Sequence, residues 1–394
     1  MPFFLFLAVF FFLFSLQTPC FYGFLLFTTE RHNTTQAMTT IYPISEQKRK
    51  FLHELPKCEH HVHLEGTLSP DLLFTLAKRN NIELPAHFPS SIELCNDRYE
   101  KFTDLQDFLD HYYIGMSVLM TESDFEDLAW DYFVKAKHDG LHHAETFFDP
   151  QGHVERGIPI ETVVNGFHRA SQRAQAELGI STKLIMCLLR HLPSQDGLKT
   201  INDAKQFYQD GIIHGLGLDS SEKPFPPELF EECYALAKKN CPEIGLTAHA
   251  GEEADPSFIS NSLDLLKVTR IDHGVQSYRD DELLKRLAKD KVMLSLCPLS
   301  NVKLQVVSDV GELPLRKWLD YGVPFSINSD DPAYFGGYLL DNYLAVESRF
   351  NLKPEEWVQI TKNSVDGSWI DAARKKQLHD EIDRVHAKYR DVLV

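Results

Sequence analysis

Residues 58–64 read CEHHVHL, a short run of strand-forming and polar residues that is followed by Glu65 and Gly66. In a strand, successive side chains point to opposite faces, so His61 and His63 would project together from one side. Two imidazoles spaced in this way can hold one metal ion. Taken alone, however, the spacing is more typical of ordinary buried histidines. The meaning of this run therefore depends on the rest of the chain.

Seven further short apolar or β-branched runs follow along the chain. They are separated by segments whose apolar residues are spaced three and four apart, as in amphipathic helices. No GxGxxG or GxxxxGK motif follows the first run, which argues against an open nucleotide-binding sheet. The alternation predicts the α/β class and a (β/α)8 TIM-type barrel, with extra helices inserted after strand 1 between residues 69 and 141. The seven runs lie at residues 142–148, 184–189, 212–218, 245–248, 269–272, 292–297 and 323–327.

Composition limits the class of partner. The chain has 40 basic and 57 acidic residues, which gives a formal net charge of −17. Such a charge repels polyanions and leaves no basic stripe along a row of phosphates, so we expect no nucleic-acid partner. The 7 cysteines form no CxxC pair and are expected to be reduced, mostly buried thiols, as in the cytosol.

The first 37 residues differ from the rest of the chain because they are strongly apolar. The unbroken apolar run from Phe3 to Phe14 fits a signal-peptide core better than a membrane span, which needs about 20 residues. No Lys or Arg precedes it and no clear cleavage site follows, so an upstream extension with Met38 as the working start is the alternative. We favour the alternative and expect residues 51–394 to form a single barrel domain, cytoplasmic and without stable membrane association. A true leader would place the protein in the secretory pathway.

Polar residues follow the predicted strands, and in a barrel these positions converge on one face. His249 follows the fifth run and Asp330 follows the eighth. Together with His61 and His63 they make a set of three neutral nitrogens and one carboxylate. Such a set suits zinc and leaves a place for water. The fourth run has no lysine that could bridge two metals, so we expect one Zn²⁺ per chain.

Three further residues have suitable chemistry for the same cavity. Glu252 lies three residues beyond His249 and can protonate a ring nitrogen, although a helix N-terminus could also explain a glutamate there. His273 can orient or deprotonate the attacking hydroxide, or stabilise a developing alkoxide. Asp331 can accept a hydrogen bond from a heterocyclic N–H group.

In their order along the chain, the strings HVHLEG, TAHAGE, DHG and SDDP carry a family resemblance. From about Phe51 to near the C-terminus, the chain resembles the adenosine/adenine deaminase family of metal-dependent barrel hydrolases. The resemblance implies that Glu252 is the proton donor, His273 a further catalytic residue and Asp331 a purine-binding residue. It implies hydrolytic deamination, in which hydroxide adds to C6 of a purine as N1 is protonated and ammonia leaves. The implied zinc ligands are His61, His63, His249 and Asp330.

Within that family, the chain most resembles the fungal type that acts on free adenine. The strings that carry this closer resemblance are CEHH, EGTL, FDPQ, LDSSE and CPLSN. Glu65 stands where adenosine deaminases usually have Asp. The longer side chain could extend into the cavity and crowd a sugar, or turn toward the insertion after strand 1. We count Glu65 among the substrate-binding candidates.

The expected function is zinc-dependent deamination of adenine to hypoxanthine and ammonia in purine salvage. By resemblance, the expected location is the cytoplasm and also the nucleus, and the expected partners are adenine and water. The alternatives are an adenosine or adenine-nucleotide deaminase of the same family, a catalytically inactive binding protein, and a secreted growth-factor-like relative. The last type carries a dimerisation region ahead of the barrel, for which the chain before Cys58 has no room. The oligomeric state stays open.

Overall fold

The structure is a computed structural model and describes residues 41–393. The expectations about residues 1–37 and about Met38 lie outside the described residues. Within the described part, no helix combines the length and the apolar character needed to cross a membrane.

Eight parallel strands form one sheet in the order of the sequence. Each strand pairs with the next, and a parallel bridge between Val62 and Asp330 links the two ends of the sheet. With helices between successive strands, this arrangement is a (β/α)8 barrel, so the predicted fold class is confirmed. The strands are β1 (Lys57–Glu59), β2 (Leu141–Phe148), β3 (Ser181–Leu189), β4 (Ile213–Asp219), β5 (Gly245–Ala250), β6 (Arg270–His273), β7 (Met293–Leu296) and β8 (Phe325–Ile327).

The first strand is shorter than the run that predicts it. The regular ladder ends at Glu59, and beyond it His63 makes only an isolated bridge with Phe147. The physical reason is that a side chain replaces the neighbouring strand as hydrogen-bond partner, because the backbone N–H of His60 donates to Asn328 Oδ1 at 2.8 Å. The end of the predicted run is still fixed by a backbone hydrogen bond, since the N–H of Asp330 donates to the carbonyl of His61 at 3.0 Å.

The predicted helical insertion after strand 1 consists of four helices, α2 to α5, between β1 and β2. A helix at the start of the described chain, α1, precedes the barrel. The helices are α1 (Glu46–Glu54), α2 (Pro70–Asn80), α3 (Ile92–Tyr99), α4 (Leu105–Met116), α5 (Glu122–His138), α6 (Pro150–Val154), α7 (Ile160–Arg173), α8 (Ser194–Asp203), α9 (Lys205–Gln209), α10 (Glu231–Asn240), α11 (Pro256–Asn261), α12 (Asp281–Asp290), α13 (Pro298–Lys303), α14 (Leu315–Tyr321), α15 (Pro332–Phe335), α16 (Leu339–Phe350), α17 (Pro354–Gly367) and α18 (Ala372–Tyr389).

Helix α12 shows why the amphipathic segments fold as they do. The side chain of Asp280 caps its first turn by accepting from the backbone N–H groups of Glu282 and Leu283. Leu283, Leu284 and Leu287 share its buried face. Burying each leucine contributes about 1.5–3 kcal/mol, which attaches the helix to the barrel wall.

The end of the barrel where the strands begin is closed by Trp369. Gly215 in β4 and Gly245 in β5 leave room for its ring, because a Cβ atom at these positions would lie 2.6 Å and 2.3 Å from indole carbons. The guanidinium of Arg270 stacks on the ring at 4.3 Å from its centroid. Ligand access from this end into the barrel interior is therefore closed, and the other end holds the polar residues described next.

Candidate active site

Three histidines and one aspartate converge where β1, β5 and β8 end. His61 Nε2 lies 3.3 Å from Asp330 Oδ1, and His63 Nε2 lies 3.6 Å from the same oxygen. His249 Nε2 is 3.3 Å from His63 Nε2. The structure thus brings together the four residues of the expected ligand set, although they lie as far apart in sequence as residues 61 and 330.

The protonation of His61 can be worked out from its neighbours. Ser295 Oγ donates its only proton to Asp272 Oδ1 at 2.9 Å, so it must accept from His61 Nδ1 at 3.0 Å. A neutral His61 therefore carries its proton on Nδ1 and a lone pair on Nε2. That Nε2 atom is buried and has no hydrogen-bond partner within residues 41–393.

A cation fits this cluster. One ligand atom from each of His61, His63 and His249 lies within 4.8 Å of the other two. The unpartnered lone pair of His61 requires an electrophilic partner, and the carboxylate of Asp330 supplies negative charge. Neutral imidazoles with one carboxylate are the donor set that zinc prefers in catalytic sites.

Asp330 of the cluster and the neighbouring His273 have left-handed backbone conformations, which residues with a Cβ atom rarely adopt. His273 and Asp330 both have φ of 63°. Such a conformation costs about 1–3 kcal/mol in a residue with a Cβ atom, and it persists only where the surroundings impose it. For Asp330, the hydrogen bonds of its backbone to His61 and His63 impose it. The strain is typical of a functional site, where it fixes the direction of a side chain.

Glu252 lies beside this cluster, immediately after β5, and is only 5% exposed. Burial raises the pKa of its carboxyl well above the usual range, and the nearby charge of Asp330 adds to that effect. His273 Nε2 lies 3.4 Å from Glu252 Oε2, and Asn301 Nδ2 lies 3.4 Å from Oε1. A carboxyl with a raised pKa can hold a proton at neutral pH and donate it, which is what a general acid requires.

Glu222 makes a contact with this loop that the sequence analysis did not foresee. Its carboxylate accepts hydrogen bonds from the backbone N–H groups of Gly251 at 2.9 Å, Glu252 at 2.7 Å and Glu253 at 3.1 Å. Glu222 thus fixes the turn that carries Glu252. The string LDSSE contains it, but no residue pattern within that string indicates which backbone its carboxylate would meet.

Arg190 lies behind Glu222 and is fully buried. Burial lowers the pKa of its guanidinium, while the charge of Glu222 opposes that shift. None of its three guanidinium nitrogens has a hydrogen-bond partner among the described residues. Its positive charge therefore offsets the buried carboxylate of Glu222 through space.

Glu65 lies behind the cavity wall rather than on it. Its Oε1 accepts from the backbone N–H of Asp149 at 3.1 Å and meets His153 Nε2 at 2.9 Å. Burial raises the pKa of Glu65 to about 8. Asp149 does line the cavity, and its Oδ2 accepts from the hydroxyl of Tyr112 at 3.0 Å. The carboxylate of Glu65 therefore lies against Asp149 and α6, which follow β2, and this is neither of the two orientations expected for it.

Asp331 faces the cavity, and its Oδ1 is buried with no hydrogen-bond partner among the described residues. Gly66 makes this position possible, because a Cβ atom there would lie 1.8 Å from Asp331 Oδ1. The glycine of the HLEG string therefore permits a close approach of the short helical turn Glu65–Thr67 to the segment after β8. The free oxygen is available to accept a hydrogen bond from a ligand.

One cavity is lined by His63, His249 and Asp330 together with Glu252 and Asp331. Its volume is about 40 Å³. One wall is polar and comes from the strand ends, whereas the opposite wall is apolar and comes from α4. Such a mixture suits a flat heterocycle held by a few polar groups. The lining residues are His63, Leu105, Phe108, Leu109, Tyr112, Tyr113, Asp149, Leu189, Asp219, Ser220, His249, Glu252, His273, Leu304, Asp330 and Asp331.

Comparison with known proteins agrees with this geometry. The family model described as adenosine deaminase matches residues 56–385. The adenine deaminase of Candida albicans is 65% identical over 88% of this chain and 98% of its own, and that of Saccharomyces cerevisiae is 60% identical over 86% and 98%. The crystal structure of an adenine deaminase from Arthrobacter aurescens superposes with a TM-score of 0.79 at 42% identity, and the match covers 84% of this chain and 98% of that one. The chain therefore belongs to the adenosine deaminase family.

Proposed function

We propose that this chain is a zinc-dependent adenine deaminase, which hydrolyses adenine to hypoxanthine and ammonia. The observation that carries the proposal is one cavity that is lined by His63, His249 and Asp330 of the expected ligand set together with Glu252 and Asp331. The relatives described as adenine deaminases, which match nearly their whole length, support the choice of substrate.

His61, His63, His249 and Asp330 would hold one zinc ion. When bound, zinc supplies Lewis acidity, which makes water a nucleophile at neutral pH. Asp272 supports the ligands from behind, because it accepts from Ser295, which in turn orients His61. Carboxylates in such outer positions fix the ring orientation of metal-binding histidines.

The protein's own residues would handle the protons and the orientation of the base. Glu252 would hold its proton at N1, which makes C6 electrophilic. Asp331 would accept from an imidazole N–H of the purine through its unpartnered oxygen. His273, 3.4 Å from Glu252 and 3.8 Å from Asp330, would orient the attacking water. Water would add to C6, and one of its protons would pass to the amino nitrogen while the other would restore the Glu252 carboxyl. The C6–N bond would then break and ammonia would leave.

The apolar wall formed by α4 favours a free base over a nucleoside. Phe108 and Tyr112 come from this helix, and the hydroxyl of Tyr112 donates to Asp149, which also lines the cavity. A ribose attached to the base would need additional room in this cavity, and the side chains of α4 are among those that limit it. We therefore expect purified protein to turn over adenine far faster than adenosine or AMP in an assay of ammonia release. Efficient turnover of adenosine with little activity on adenine would overturn the proposal.

Glu222 would act as a positioning residue for Glu252. In Glu222→Gln, one acceptor oxygen is replaced by an NH₂ group, so the side chain can no longer accept all three hydrogen bonds from the backbone N–H groups of the turn. A hydrogen bond to a charged group contributes about 1.5–3 kcal/mol, so we expect kcat to fall about 10- to 100-fold. The KM for adenine and the zinc content should stay nearly unchanged, as measured by steady-state kinetics and metal analysis.

The matched control for this prediction is Glu232→Gln, at an exposed position of α10. It removes the same charge from the protein without touching the 251–253 turn and should keep the parent kcat. A Glu222→Gln protein with parent kcat, or one that loses zinc and KM together with kcat, would remove the positioning role.

The proposed reaction belongs to purine salvage, because it recovers a purine ring from a free base. We place it in the cytoplasm and also the nucleus, with adenine and water as its partners. Fractionation of cells that express the tagged full-length chain would test the location, and recovery of the protein from the medium would contradict it.

A further inference from the structure

A second cleft lies at the opposite end of the barrel from the candidate active site. Its volume is about 830 Å³. It is formed near the beginnings of β3 and β4, together with α7 and α18. His214 stands near the start of β4, and Asp219 at the end of that strand lines the first cavity. Five residues of strand separate the two, which corresponds to roughly 17 Å. The two sites are therefore distinct.

Two cationic side chains line this cleft without a carboxylate partner. Lys183 makes no ion pair within residues 41–393, and burial lowers the pKa of its ammonium group. Arg374 is held by neutral groups, since it donates to the carbonyl of His142 at 2.9 Å and to Gln377 Oε1 at 2.8 Å. Its Nε is buried and has no partner among the described residues. The charges of Glu145 and Asp371 reach Lys183, but neither acid forms an ion pair with it in the described structure.

Neutral donors complete the same wall. His214 Nδ1 accepts from the backbone N–H of Leu184 at 3.3 Å, so the proton of the neutral ring lies on Nε2. Ser171, only 5% exposed, also lines the cleft, and its hydroxyl has no hydrogen-bond partner within the described chain. His214 Nε2 can therefore donate into the cleft, next to the two cationic side chains.

The carboxylates nearby are already engaged. Glu145 is fully buried and meets Arg270 Nη1 at 2.6 Å, His143 Nε2 at 3.1 Å and the backbone N–H of Trp369. Asp371, which is exposed at the rim, accepts from the backbone N–H of Arg374 at 2.8 Å and caps α18. Neither carboxylate lies within ion-pair distance of Lys183 or of the Arg374 guanidinium in the described structure.

We propose that this cleft binds a phosphate group, either as free phosphate or as part of a nucleotide. A tetrahedral dianion would pair with the ammonium of Lys183 and the guanidinium of Arg374, neither of which forms an ion pair in the described structure, and would accept from His214 Nε2. Charge-assisted hydrogen bonds from Lys and Arg are the usual means of holding phosphate in proteins. The proposal does not rest on the adenine deaminase reaction, because the cleft shares no residue with the first cavity.

Isothermal titration calorimetry with the full-length chain and inorganic phosphate, at constant ionic strength, tests the site. We expect saturable binding by the parent protein. Lys183→Gln should weaken it at least tenfold, whereas Lys183→Arg should retain most of it. The control is Lys205→Gln, at an exposed position of α9, which should bind as the parent does. Absence of saturable binding in the parent, or equal binding in Lys183→Gln, would overturn the proposal.

A second titration, with AMP, distinguishes the two sources of the phosphate group. AMP binding that is lost in Lys183→Gln is assigned to the cleft. If the dissociation constant of AMP at the cleft is smaller than that of inorganic phosphate, the ligand is a nucleotide. If it is equal or larger, the ligand is free phosphate. AMP binding that is the same in the parent and in Lys183→Gln, together with phosphate binding that is also unchanged, would show that the anion binds elsewhere and contradict the proposal.

Discussion

Replacing Glu252 with Gln is expected to lower kcat for adenine by about 10²- to 10⁴-fold, the range that general acid catalysis contributes. Gln has nearly the same shape as Glu but cannot supply the proton to N1. Burial raises the pKa of the Glu252 carboxyl well above its usual range, so the acid that Gln replaces is the protonated form. Steady-state measurement of ammonia release, with the parent protein in parallel, gives the ratio.

The same variant should still bind metal, because Glu252 is outside the histidine cluster. Zinc content measured by mass spectrometry and the melting temperature should therefore match those of the parent. The matched control is Glu232→Gln, at an exposed position of α10 that does not line the cavity. It should keep kcat within a few-fold of the parent. A Glu252→Gln protein as active as the parent would show that another group donates the proton.

Barrel symmetry explains why the cluster was predictable from the sequence. The carboxyl ends of parallel strands meet at one end of the barrel, so His61, His249 and Asp330 had to lie close together once the eight runs were recognised as strands. Strand alternation predicted that His61 and His63 would face one side, and both side chains do reach the cluster, although the regular ladder of β1 ends at Glu59. These two rules need no knowledge of loop conformation.

The parts that could not be predicted depend on contacts between distant side chains and loops. The position of Glu65 is set by His153, which lies 88 residues further along the chain. No local pattern states that the two would meet. The role of Glu222 likewise depends on the conformation of the turn after β5, whose three N–H groups point to one carboxylate. Strand periodicity contains no information on the direction of such a turn.

Helix α4 is an intermediate case. The length of the insertion after strand 1 predicted extra helices over the barrel mouth, and the structure confirms them. Which apolar side chains of α4 would face the cavity depends on how the helix packs, and Phe108 and Tyr112 do so here. One wall of the cavity is thus formed by an element whose existence, but not its register, follows from the sequence.

Loss of one metal ligand should have an effect as large as loss of the acid. In Asp330→Asn, the cluster keeps its three imidazoles but loses its negative charge, so we expect zinc to bind much more weakly. A bound metal contributes several kcal/mol to such reactions, so kcat at limiting zinc should fall about a thousandfold. Metal content and turnover measured on the same preparation test both expectations.

The stability of the protein gives a readout that is independent of activity. A ligand that binds only the folded state raises its stability by about 2.7 kcal/mol at a concentration 100 times its dissociation constant. Zinc added to chelator-treated parent protein should therefore raise the melting temperature, and the rise should be much smaller in Asp330→Asn. The control is His138→Asn, at an exposed histidine of α5 far from the cluster in sequence, which should respond as the parent does. If Asp330→Asn retained parent zinc content and showed the same rise, the ion would be held elsewhere, and His61, His63, His249 and Asp330 would not be its ligands.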